Sequence, residues 1–269
     1  MGTSASSKGP GSGVSFDPPW LDDVDLPNIT HPTVDKLNDI SKENIILAPK
    51  ARFRNARRDL SDYVRSGNRD SLRRALGNYS KSGMGGARNV ANRLRLSTKV
   101  ASNLFNTLYS LREGTNSTLG MIISKLKAEG ANAYQLIDII VENVCPNGGS
   151  IDESSCRDSG NAALSEFIEK QPDADISNLS DDEIWTLTGS FLGDETFNRI
   201  QLDIGQVFER QDIPLTDRVV RFNDMREYIK SEISAQINLL RNEKKLLVDL
   251  QSILQSTIKN TFKVFEVEV

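Results

Sequence analysis

The sequence predicts an all-α protein: a multi-helix bundle behind a disordered Gly/Ser/Pro-rich N-terminal tail, with a closing segment that has the alternation of a short C-terminal strand. Three observations carry this reading. Apolar residues recur at three- and four-residue spacing from Phe53 to Ile258, the period of a helix with one buried face. Aromatic residues make up only 6% of the 269, so the core must be built from Leu, Ile, Val and Ala, which favours helices over sheets. Ser150 with Glu153, and Ser180 with Glu183, have the spacing of capping boxes in front of apolar segments.

Taken in order, residues 1–49 form the tail. It opens Met-Gly-Thr-Ser-Ala-Ser-Ser-Lys-Gly-Pro-Gly-Ser-Gly, passes Pro18, Pro19 and Trp20, and has prolines at 27, 32 and 49. Such a composition cannot sustain helix or strand ladders. Trp20 and Leu21 are candidate anchors onto a partner or onto the protein's own body. Residues 50–114 read as a basic helical segment. Phe53, Leu60 and Val64 share one face, and Leu72, Leu76 and Tyr79 another, with Ser66-Gly67-Asn68 between them. After Ser82–Gly86 a third helix is expected through Val90, Leu94, Val100, Leu104, Leu108 and Leu111 to about Gly114, its Arg-rich first half a solvated extension. Residues 115–269 form the helical bundle. Helices are expected over Leu119–Ala128, over Ala131–Val144 and from Glu183 towards Arg210, and one begins near Pro214. Ile233, Leu240, Leu247 and Leu254 repeat at seven, but Arg241–Lys245 interrupts the run, so bundle packing is favoured over a coiled coil. The final Phe262–Val269 alternates with period two, as a terminal strand or an extended tail would.

No apolar run approaches the roughly 18 residues of a membrane span. The N-terminus has no apolar signal core either, so a cytoplasmic protein without membrane contact is expected. His31 is the only histidine, and Cys145 and Cys156 are the only thiols. This argues against hydrolase triads and against zinc or other metal sites, and no cofactor-binding motif is present. The two cysteines read as unrelated thiols. Asp181, Asp182 and Glu183 have the makings of a carboxylate site, but fit better as an acidic helix start. No catalytic residue is assigned.

Charge is segregated. Residues 50–99 hold 14 Lys/Arg against 3 Asp/Glu, a balance of +11, leaving −15 for the remainder. Arg52, Arg54, Arg57, Arg58, Arg69, Arg73, Arg74, Arg88, Arg93 and Arg95 would make a surface for a partner or for nucleic-acid phosphates. The competing reading is a basic face docked on the acidic remainder. Gly83-Met84-Gly85-Gly86 would offer backbone N–H groups to an anion, or simply make a turn; it lacks a P-loop ending. Met1-Gly2-Thr3-Ser4-Ala5-Ser6 formally matches an N-myristoylation pattern, and Met removal would expose the unhindered Gly2 amine.

Several blocks, in this order, resemble the QatB family of the bacterial Qat anti-phage defence system. They are the Met-Gly-Thr-Ser opening with Pro-Pro-Trp, Arg52-Phe-Arg-Asn-Ala-Arg, and Ser66-Gly-Asn-Arg-Asp-Ser-Leu-Arg-Arg-Ala-Leu-Gly-Asn-Tyr79. Gly83-Met-Gly-Gly-Ala-Arg, Phe191-Leu-Gly-Asp-Glu-Thr-Phe-Asn-Arg199 and Met225-Arg-Glu-Tyr-Ile229 follow. The spacer behind the opening is shorter and less Pro-rich than the family's. The resemblance implies three partners: an ATPase (QatA), a QueC-like enzyme (QatC) and a TatD-like nuclease (QatD). It also implies that this chain is a protein substrate, processed near its N-terminus by the QueC-like enzyme and joined to a deazaguanine-type base. The glycine would be Gly2, or Gly9, Gly11 or Gly13 if the leader is cut first.

Overall fold

The computed structural model describes residues 51–146, 148–243 (backbone only at 242 and 243), 250–267 and 269. The tail and its candidates Gly2, Gly9, Gly11, Gly13 and Trp20 lie outside these residues, as does Leu247. The described residues form ten α-helices and no strand.

Side-chain caps start several of the helices. Asn68 accepts from the Asp70 N–H at 2.8 Å and opens α2 (Arg69–Asn78) directly after α1 (Arg54–Ser66). A π-helix, Tyr79–Met84, prolongs α2 and leads to α3 (Ala87–Arg93) and α4 (Arg95–Arg112). Asn116 caps α5 (Ser117–Ala128), and Asn132 with Gln135 forms a capping box for α6 (Ala133–Val144). The two serine boxes form as their spacing requires, ahead of α7 (Ile151–Lys170) and α8 (Asp181–Ile204). Each such cap is worth about 1 kcal/mol. A 3-10 turn, Gly205–Glu209, follows α8; α9 spans Leu215–Glu243 and α10 spans Leu250–Val267.

Two expectations are corrected. The single third helix is two helices: the chain leaves helical geometry at Leu94 (φ −92°, ψ 19°). The Arg-rich half is not a solvated extension, because Ala87, Val90, Ala91 and Leu94 are buried and α3 packs on α10. The C-terminal strand is instead the last turns of α10. Leu254, Ile258, Phe262 and Phe265 are all buried at helical spacing, while Val264 and Val267 face solvent. Burial of one apolar stripe outweighs the local alternation.

The helix α8 is central, packed against α4, α7 and α9; α10 packs on α2, α3, α4 and α9. One continuous hydrophobic cluster runs from Phe53 to Phe265. Helices α8 and α9 approach closely at Gly193, where a Cβ would stand 2.9 Å from Lys230 Cα and 2.7 Å from its Cγ. Backbone cannot give way as a flexible side chain can, so Gly193→Ala is expected to cost about 1–3 kcal/mol. Urea unfolding should show a lower midpoint with an unchanged slope.

Candidate functional site

The basic segment places its arginines around α1 to α4. Arg54, Arg57 and Arg58 share the outer face of α1 at helical spacing, and Arg69, Arg73 and Arg74 belong to α2. Arg88 and Arg93 lie on α3, and Arg95 opens α4. All are exposed except the half-buried Arg73. Several are engaged within the molecule. Arg93 forms a two-pronged pair with Asp152 (2.7 and 3.2 Å), and Arg57 donates to the Asp203 carbonyl at 2.9 Å. Arg58 pairs with Asp59, Arg74 donates to Ser71 Oγ, and Arg52 lies over the Phe53 ring. Arg54, Arg69, Arg88 and Arg95 make no ion pair among the described residues.

The glycine loop is a turn whose donors are already used. The Gly85 and Gly86 N–H groups both donate to the Ser80 carbonyl, closing the π-helix. Both glycines have positive φ (76° and 109°), a backbone that L side chains rarely adopt. Asp181, Asp182 and Glu183 occupy the first turn of α8, where carboxylates favour the positive end of the helix dipole.

The densest polar chemistry lies in the middle of α8, at two successive carboxylates that charge counting alone does not reveal. Asp194, only 3% exposed at its side chain, meets Arg226 at 2.7 Å and Lys230 at 3.5 Å from α9. Glu166 of α7 completes this cluster, accepting from Lys230 (2.6 Å) and Lys170 (2.7 Å). Glu195 points elsewhere and pairs with no cation among the described residues. One oxygen accepts from Ser97 Oγ of α4 at 2.7 Å and from the Cys156 thiol at 3.4 Å; the other accepts from Ser155 and, at 3.1 Å, from Ser159. Asn198 in turn donates to Ser159 Oγ at 2.9 Å. The available sequence signal was an Asp-Glu pair inside the apolar run Phe191 to Ile200.

These groups are saturated by one another. Burial, reinforced by the Glu195 charge, pushes the Cys156 thiol well above its usual range, and burial pushes Cys145 up to about 11. Both remain thiols at neutral pH rather than activated thiolates. They are free and buried. Among the described residues no group of three or more His, Cys, Asp or Glu is placed to hold a metal ion, and no helix is long and apolar enough to cross a membrane.

Residues 85–265, the larger part of the chain, match the family model described as QatB, the Qat anti-phage system associated protein QatB. Comparison with curated proteins and with solved structures returned no match.

Burial opposes ionisation of Glu166, but the Lys170 and Lys230 ammoniums outweigh it and hold the carboxyl at about 2. A carboxyl depressed in the fold contributes stability that is present above its unfolded value and is lost as pH falls through its folded value. Glu166→Gln should therefore be less stable than wild type at neutral pH. The gap should narrow as pH falls from about 4.5 towards about 2, as urea midpoints across a pH series would show.

Proposed function

The chain belongs to the QatB family of Qat anti-phage system proteins, and we propose from this that it serves the system as a non-catalytic, cytoplasmic subunit whose N-terminal glycine region is a substrate. Family membership is the observation that carries the reading, since it makes this chain a component of an anti-phage defence system with other Qat proteins as its partners. The QueC-like enzyme QatC is the proposed modifier, with the ATPase QatA and the nuclease QatD in the same assembly. Gly2 is the simplest target; Gly9, Gly11 and Gly13 take its place if a leader is removed first. A glycine amine has no side chain to hinder an incoming electrophile, so one near a terminus suits another enzyme's active site. The internal chemistry supports this division of labour. Both thiols are held protonated by burial, and the carboxylates of α8 are committed to internal donors.

Intact-mass and peptide mapping of protein co-expressed with its Qat partners tests the proposal. The expected result is an adduct, with or without leader loss, on one of the four glycines, absent when the QueC-like partner is omitted. A full-length, unmodified N-terminus in cells that resist phage would overturn it.

One observation favours a second reading, nucleic-acid contact by the basic segment. Arg54, Arg69, Arg88 and Arg95 are exposed and make no ion pair among the described residues, so they are available to phosphates. Duplex and single-stranded DNA binding followed by anisotropy should then weaken steeply with salt. Removing one phosphate-binding side chain, by Arg54→Ala or by Arg95→Ala, should reduce the log–log slope by about 0.7–0.9. Binding with no such slope, or with a slope unaltered by both substitutions, removes this reading.

A further inference from the structure

Beside the Glu195 cluster runs an open groove of about 850 Å³ whose lining includes none of the basic-face arginines. Two helices form its walls at helical spacing: Ile151, Ser154, Ser155 and Asp158 from α7, and Asn198, Gln201 and Leu202 from α8. Residues i, i+3, i+4 and i+7 form one continuous stripe on a helix, so each wall presents a stripe to the gap between them. From Ile151 to Asp158 this stripe is about 10 Å long, two helical turns.

The lining is amphipathic, with a definite sign of charge. Phe208 and Phe222 form an apolar floor, packed edge to face with ring centroids 5.5 Å apart. Ile151 (71% exposed) and Leu202 (53%) stand at the rim as large apolar side chains left to solvent. The same face of α9 continues the apolar surface, since Leu215 and Val219 lie at helical spacing from Phe222 and are also exposed. Asp158 and Glu209 are the only charged residues in the lining; both are exposed and make no ion pair among the described residues. Nearby cations are committed elsewhere. Arg199 is held by Asp152 at 2.6 Å, Arg218 by the Phe208 carbonyl at 3.0 Å, and Arg210 by Asp212 at 2.8 Å.

We infer that this groove is a docking site for a short basic amphipathic helix of a partner protein. Its apolar side chains would enter between Ile151 and Leu202 over the phenylalanine floor, and its Lys or Arg side chains would meet Asp158 and Glu209. The geometry is that of a helix laid in a groove between two others, with burial supplying affinity and the carboxylates setting orientation and sign. An open trough lined along two turns suits a helix better than a small molecule, which needs enclosure on most sides. The site is independent of the N-terminal modification and can stand or fall without it.

The test uses the full chain and three fluorescein-labelled peptides: a helix with one Leu face and one Lys face, its Leu/Glu counterpart, and a Leu/Lys shuffle without an apolar face. The Leu/Lys helix should bind at least about tenfold more tightly than either control, the scale set by an interface anchor. Leu202→Asp or Ile151→Asp should abolish that difference, and D158K/E209K should invert the preference between Lys and Glu peptides. All four positions are exposed, so thermal melting should be nearly unchanged. Equal affinity for helix and shuffle, or indifference to the substitutions, would overturn the proposal. So would a concentration-dependent dimer in sedimentation that Leu202→Asp dissolves, because the occupant would then be a second copy of this chain.

Discussion

The packing of this protein turns on a helix that is buried along most of its length and yet carries two carboxylates at its centre. An ionised carboxylate in an apolar interior costs several kcal/mol unless donors meet it in good geometry. Successive helical residues point about 100° apart, so Asp194 and Glu195 cannot share one set of donors. Asp194 draws Arg226 and Lys230 from α9, and Glu195 draws Ser97 from α4 and Ser155, Cys156 and Ser159 from α7. A slide of any of these helices by one turn, about 5.4 Å, would strand a buried charge. Apolar stripes alone tolerate several registers; this polar arrangement admits one.

The same constraint shapes the surface. Ser155 both donates to Glu195 and lines the groove between α7 and α8, so the groove's wall is held by the buried cluster behind it. Across the molecule, α10 does for the basic segment what α8 does for the bundle. Its Phe265 carbonyl comes close enough to Gly77 that a Cβ there would stand 2.5 Å away, and Ser80 donates to Glu266 at 2.6 Å. Tyr79 reaches Asp203 at 2.8 Å and Phe53 stacks on it at 5.4 Å. The arginines of α1 to α3 thus stand on a packed scaffold. Arg93 pairs with the Asp152 carboxylate, which neutralises part of their charge, and Arg57 donates to the Asp203 backbone carbonyl.

Much of this was legible residue by residue. Caps are local chemistry, so Ser150 with Glu153 and Ser180 with Glu183 were readable from spacing, and so was the break at Ser66-Gly67-Asn68. Among the described residues the apolar stripes named buried core positions such as Leu60, Leu104, Phe191 and Ile233, because burial follows the helical period. Four features were not readable, each for the same kind of reason. The break at Leu94 and the helical end of α10 depend on which faces meet across more than a hundred residues of sequence. The role of Asp194 and Glu195 depends on donors supplied by three other helices. The groove depends on where α7 lies against α8.

The sequence by itself determined an all-helical bundle, its caps, its charge segregation, and a chemistry poor in histidine. It also carried a resemblance to the QatB family, whose model matches residues 85–265, because local propensity, capping and short motifs are written within a few turns of chain. Tertiary structure decided which charges are exposed and which are buried. It turned an ambiguous C-terminal alternation into a helix and set an apolar, acidic groove beside the central carboxylates. Those outcomes arise from long-range packing, where the partners of each side chain are fixed only once the helices have met.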